Sequence, residues 1–274
     1  MRISLLVFAG YMAGLGGLGL PTQAQVFTPT QYGGTASGTR GELDLRSTVG
    51  QIFELGNQAR AAAGVGRLQW DSALAQAALA HCRRMAAEGP IAHQYADEAD
   101  TAGRAAQAGA HFDVVEENVA SGQSAAEIHE AWMHSPGHRS NLLSPEVDRV
   151  GVAVVQAQGM LYAVADYSRG VTALSAAQVE ARVAELIQRQ SRIEIARDPT
   201  NARAACAADK GFPGNAGSWP GFLMRWQDSE LKQLPAALSE KLATGQYHLA
   251  AVGSCPPHGD VGSFTAYRVA VALY

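Results

Sequence analysis

Two short stretches carry the residue types that site chemistry needs. Glu117-Asn118-Val119-Ala120-Ser121-Gly122 sets a carboxylate beside an amide, and Trp132-Met133-His134-Ser135-Pro136-Gly137-His138-Arg139 sets an imidazole just past a Pro-Gly pair. Upstream, Ile91-Ala92-His93 adds a second imidazole. Turn-forming residues rather than an apolar stripe surround these groups, so Glu117 and Asn118 are expected in a loop. Two imidazoles and a carboxylate are a set that zinc or another divalent cation takes, with one position open for water. Water held there can be activated for hydrolysis, with Glu117 as ligand or general base. The same set can hold a small polar ligand without any metal. His93, Glu117 and His138 stand 24 and 21 residues apart, so only the fold can assemble them, unlike a His-Glu-x-x-His helix. Asn118 and Ser135 join the candidate set as hydrogen bonders that fix the other groups.

Each residue also has a plainer use. Glu117 can accept backbone N–H groups that hold its loop, His138 can cap the helix before Pro136, and His93 can bond a carboxylate with no ligand present. His81 lies on an apolar helix face and reads as a satisfied core histidine. His111, His129 and His134 read as peripheral, and His248 and His258 lack a partner set. Trp132 reads as a core anchor, and Arg139 as the partner of Asp148 or Glu146. There is no Gly-x-Ser-x-Gly elbow, phosphate loop or Cys nucleophile with a partner His.

Elements must position these groups. Ile52, Leu55, Ala59 and Ala62 or Ala63 recur at helical spacing from Thr48, and Gly64 ends that helix. Asp71 N-caps a second helix reaching about Glu88, with Leu74, Ala78, His81, Cys82 and Met85 inside and Gly89-Pro90 as its stop. A short helix covers about 100–108. Ser124-Ala125-Ala126-Glu127 is a capping-box pattern that starts a fourth helix, ended by Pro136-Gly137. Val150–Gln156 and Met160–Tyr167 alternate as two strands of a hairpin turned at Ala157-Gln158-Gly159. Ser175 caps a long helix through about Arg197 that links to a smaller unit. In that unit Phe222–Trp226, Gln246–Gly253 and Phe264–Leu273 read as strands, and Leu231–Leu242 as a helix.

The 274 residues are 47% hydrophobic and 17% charged, with a net charge of −4. That is room for one large domain or two small ones, and no basic block argues for nucleic-acid binding. Arg2 followed by apolar Ile3–Leu20 and Pro21-Thr22-Gln23-Ala24 reads as an export signal cut near Ala24. No later run has the roughly 18 apolar residues of a membrane span. The expected organisation is a signal at 1–24, a flexible lead at 25–46, a domain at 47–170, a linking helix at 171–200 and a small α+β unit at 201–274. Export to a periplasmic or external compartment permits disulfides. Of the three cysteines, Cys206 is expected to pair with Cys255 and Cys82 to be a buried apolar residue.

Read in order, Asn57-x-x-Arg60, Leu68-x-Trp70-Asp71-x-x-Leu74, Ala92-His93, Glu117-Asn118-Val119-Ala120-x-Gly122, Trp132-Met133-x-Ser135-Pro136-Gly137-His138-Arg139 and Val150-Gly151-Val152-Ala153 resemble a bacterial member of the CAP superfamily (cysteine-rich secretory proteins, antigen 5 and pathogenesis-related proteins). The resemblance covers about residues 50–168. It implies an α+β fold, an α-β-α sandwich around a small, mainly antiparallel sheet, followed here by a second, smaller α+β unit. It also implies a cleft in which His93, Glu117 and His138 match two histidines and one of two acidic residues. The other acidic position is Ser135 here, and Glu116 replaces the Gly before the motif's Glu. The implied role is an exported binding or interaction module for a cell-envelope, lipid or small polar ligand. The alternative is a metal-dependent, peptidase-like hydrolase using His93, His138 and Glu117.

Overall fold

The computed structural model describes residues 25–27, 40–208, 210–213, 219–257 and 263–274. The export segment and its cut near Ala24, residues 28–39 of the lead, and His258 lie outside the described residues. The chain divides into two compact units, 1–170 and 171–274.

The first unit runs β1 (Gln25–Phe27), α1 (Arg40–Ala62), β2 (Gln69–Trp70), α2 (Ser72–Glu88), α3 (Thr101–Gln107), β3 (Phe112–Gly122), α4 (Ala125–His134), α5 (Pro136–Leu142), β4 (Arg149–Ala157) and β5 (Met160–Gly170). The sheet order is β1-β4-β5-β3, with β2 parallel on β4 and the other pairings antiparallel. Gln158 and Gly159 take positive φ of 51° and 77° and form the two-residue turn between β4 and β5.

Alternation along the strands sends side chains to two different cores. Val150, Val152, Val154, Ala163, Ala165 and Tyr167 pack with α1 and α4 through Leu45, Val49, Ile52, Ile128 and Trp132. Val119, Ala153, Val155 and Val164 pack on the other face with Ala78, Leu79, Cys82 and Met85 of α2. This is an α-β-α sandwich. Helix α2 lies directly on β4 at Gly151, where an added Cβ would stand 2.0 Å from the Ala75 backbone nitrogen. Only glycine allows that approach.

Several elements differ from the sequence expectation. Helix α1 begins at Arg40 rather than Thr48, because Leu45 extends the buried stripe of Val49 and Ile52 by a turn. Pro136-Gly137 does not stop the helical run; Ser135 breaks it and Pro136 opens α5 at its first position. Glu117 and Asn118 are in strand β3, not in a loop. Arg60 and Asn57 of α1 serve the frame. Arg60 donates to the carbonyls of Gly66, Leu142, Ser144 and Val147, and Asn57 exchanges two hydrogen bonds with the Leu68 backbone.

The second unit runs α6 (Ala176–Gln190), β6 (Glu194–Ile195), α7 (Thr200–Ala207), β7 (Phe222–Asp228), α8 (Ala236–Ala243), β8 (Leu249–Cys255) and β9 (Tyr267–Leu273). Its sheet order is β6-β8-β9-β7. Helix α6 is opened by a Ser175–Gln178 capping box and stops at Gln190, earlier than expected, where the chain turns into β6. Its Val179, Val183, Leu186 and Ile187 share a core with α8 and one sheet face. Helix α7 covers the other face. Helix α8 starts only after Pro235, whose ring fits ahead of a first turn but not inside a helix. Cys206 and Cys255 form the expected disulfide, Cα atoms 5.8 Å apart, and Cys82 is a buried free thiol. Among the described residues no helix is long and apolar enough to cross a membrane.

Candidate functional site

Strand β3 is an edge strand of the first sheet, and its alternation divides the site between two faces. Glu117 shares the α2 side with Val119, and Asn118 shares the α4 side with Ala120. On its side Glu117 is 5% exposed and engaged at both oxygens. Its Oε1 meets His93 Nδ1 at 2.8 Å, and its Oε2 accepts from the guanidinium of Arg104, itself buried on α3. Burial raises the Glu117 carboxyl, but the bond to His93 and the charge of Arg104 outweigh it and hold it below the usual carboxylate range. Glu117 is therefore a fixed anion.

On the other side Asn118 Nδ2 donates to the His138 carbonyl at 2.9 Å and to the Tyr167 hydroxyl at 3.4 Å. Asn141 Nδ2 donates to the Glu117 carbonyl at 3.0 Å and to Asn118 Oδ1 at 3.1 Å. These bonds fasten α5 to the strand. His138 sits in the first turn of α5, so it does not cap the helix before it. His93 and His138 meet beside β3, their ring centroids 6.0 Å apart at 50°. His138 is pushed below the ordinary histidine value by burial and by the neighbouring His93, with Glu117 opposing. It is neutral at neutral pH and can donate with one nitrogen and accept with the other.

The structure thus brings together His93, Glu117, Asn118 and His138. Ser135 is half-buried at the start of α5, and its hydroxyl makes no capping bond. Of the residues expected to hold a metal, Glu117 has both oxygens engaged, one by His93 and one by Arg104. Among the described residues no three His, Cys, Asp or Glu are grouped to hold a metal ion. Two imidazoles remain as donors, with Glu117 behind one of them.

The expected pairing of Arg139 with Asp148 or Glu146 is replaced by others. Arg139 is exposed, and Asp148 accepts from the Gly170 N–H at 2.8 Å and lies 3.7 Å from Arg149. Trp132 is a core anchor, 1% exposed, its indole N–H donating to the Val119 carbonyl. His81 is a fully buried, doubly bonded core residue.

Two site residues escaped the sequence reading. Arg104 lies on the buried face of α3 beside Ala102 and Ala105, and a charge on such a stripe is the signal that could have found it. Asp166 pairs with Glu117 across β3 and β5 and is 0% exposed. Burial and the Glu117 anion push its carboxyl well above the usual range. Asp166 therefore holds a proton and can donate it in a hydrogen bond to Glu117. Its signal was a lone carboxylate inside the apolar run Tyr162–Tyr167.

Among solved structures, an extracellular protein containing an SCP domain from Bacillus anthracis is 23% identical, with a TM-score of 0.44, covering 49% of this chain and 45% of that one. An outer surface protein of Borrelia burgdorferi is 18% identical, with a TM-score of 0.44, covering 46% and 96%. Among curated proteins, YkwD of Bacillus subtilis is 32% identical over 107 residues, 39% of this chain and 42% of YkwD. The B. subtilis membrane protein YlbC is 30% identical over 108 residues, 38% of this chain and 30% of YlbC. The chain spans less than half the length of these curated relatives. Residues 53–167 match the family model of the cysteine-rich secretory protein family, CAP. Residues 53–167 are thus a CAP-family domain within this chain.

Proposed function

We propose that this chain acts outside the cytoplasm as a binding module, recognising a polar or lipid headgroup ligand of the cell envelope at the His93–His138 pair. The observation that carries this reading is the engagement of Glu117 by both His93 and Arg104. A carboxylate held at both oxygens positions its neighbours and is not poised to take a proton from water. What faces outward is a pair of imidazoles on a rigid frame, one of them neutral, suited to hydrogen-bonding a polar group. The Cys206–Cys255 disulfide and the apolar Ile3–Leu20 stretch support an oxidising, external location.

The test is calorimetric titration of the full chain with a soluble digest of peptidoglycan and, separately, with phosphatidylglycerol vesicles. Saturable binding that His93→Ala/His138→Ala removes supports the reading. Binding that survives in the double variant, or none to either probe, overturns it.

A second reading has one observation in its favour. The Glu117–His93 bond is the carboxylate–imidazole pairing found behind metal-bound histidines. In that reading His93 and His138 would hold a divalent cation such as zinc, with Glu117 orienting His93 rather than ligating. The bound cation would supply Lewis acidity. Zinc titration distinguishes the roles: Glu117→Gln should weaken binding about 10–100-fold if it orients, and abolish it if it ligates.

A further inference from the structure

His93 sits in a segment with no regular structure, residues 89–100, between α2 and α3. One buried side chain ties this segment to α2. His81, on the inner face of α2, is 0% exposed and bridges the segment. Its Nε2 meets the carbonyl of Ala92, the residue just before His93, at 2.8 Å. Its Nδ1 meets Oε1 of Glu98, six residues further on, at 2.8 Å. A carbonyl only accepts, so Nε2 is the nitrogen that donates to Ala92.

Glu98 passes the constraint on. Its Oε2 accepts from the Tyr95 N–H at 3.1 Å and lies 3.8 Å from Arg104. Arg104 in turn donates to the His93 carbonyl at 3.2 Å, to the Ala99 carbonyl at 2.9 Å and to Glu117. A continuous chain of partners therefore runs His81–Glu98–Arg104–Glu117–His93 through the interior. It starts on helix α2 and ends on the partly exposed imidazole of His93.

We infer that His81 is a positioning residue for the His93–His138 pair: by holding Ala92 and Glu98 it sets where His93 stands and keeps His93 Nδ1 on Glu117. This rests on the reading of His93 as a ligand-facing group. A buried histidine serving packing alone would leave the ring state of His93 untouched when replaced.

The test reads that ring state by long-range ¹H–¹⁵N NMR, with His93 assigned by its loss in His93→Asn. In the wild type neutral His93 is expected as the Nδ1–H tautomer, pinned by Glu117. In His81→Leu, with the fold checked by circular dichroism, the signal should move toward a mixture of the two tautomers, and binding of whichever envelope probe is active should drop at least about tenfold. An unchanged His93 signal in folded His81→Leu overturns the inference. If that variant does not fold, Glu98→Ala and Glu98→Gln decide it. The glutamine can donate to His81 Nδ1 and accept from Tyr95 and should keep the His93 signal, whereas the alanine should lose it. Equal behaviour of the two overturns the inference. The tautomer readout needs no ligand, so its failure is separable from failure of the binding reading.

Discussion

Glu117 and Asp166 face each other across β3 and β5 as two buried carboxyls, with the guanidinium of Arg104 on Glu117. One positive charge cannot support two neighbouring anions in a dry interior, so the pair divides: Glu117 is ionised and Asp166 protonated.

That division gives a pH dependence with a defined sign. Asp166 is raised by burial and by Glu117, and Glu116 is pushed up to about 7 by burial and by Glu146. At these sites the folded protein keeps protons that the unfolded chain has released. Stability therefore falls as pH rises from the ordinary carboxylate range toward the raised values. Asp166→Asn keeps a donor toward Glu117 but has no proton to lose. Calorimetry should show it gaining on the wild type between about pH 5 and about pH 8. Parallel profiles for the two proteins would refute this.

Arg60 is 1% exposed and satisfies four carbonyls that close the segment from α5 to β4 around α1. Arg60→Leu strands them and should cost about 3 kcal/mol or more in denaturant unfolding. Arg60→Lys, with a single ammonium, should fall between. A loss below about 1 kcal/mol for the leucine would mean water or backbone shifts replace the guanidinium.

Each unit uses a strand glycine as a seat for a helix. At Gly151 an added Cβ meets Ala75 of α2 at 2.0 Å, and at Gly253 it meets Ala202 of α7 at 2.2 Å. Both contacts are to backbone, which cannot swing away. Gly151→Ala and Gly253→Ala should each cost about 1–3 kcal/mol or more. Hydrogen exchange should place the loss in residues 1–170 for the first variant and 171–274 for the second. Uniform loosening of both units by either variant would contradict this.

The disulfide closes a separation of 49 residues between α7 and the end of β8. Chain entropy alone assigns such a closure about 4 kcal/mol. Cys206→Ser/Cys255→Ser should lower the unfolding transition of the second unit by a comparable amount. No change on replacement or reduction would show that packing around Phe212 and Ala202 suffices.

The helices were legible because their faces are periodic and their caps local: Asp71, Ser124 and Ser175 each accept the backbone N–H groups their positions imply. The β4–β5 hairpin was legible from its alternation. Strand β3 was not, because Glu116, Glu117 and Asn118 are poor strand formers by local preference. Glu117 and Asn118 are held there by Arg104, His93 and Asn141, which reach them from elsewhere in the chain. The candidates His93, Glu117 and His138 could be named from motifs, but their roles could not. That both Glu117 oxygens are engaged depends on Arg104 as well as His93, and no local pattern links Arg104 to it.

The most direct test of the central claim is ring NMR of His93 and His138 during titration with soluble peptidoglycan digest and with phosphatidylglycerol vesicles. The account predicts saturable shifts of both imidazoles with one of the probes, with Trp132 unmoved in the core. Binding that leaves both rings unshifted, or no shift with either probe, would contradict it.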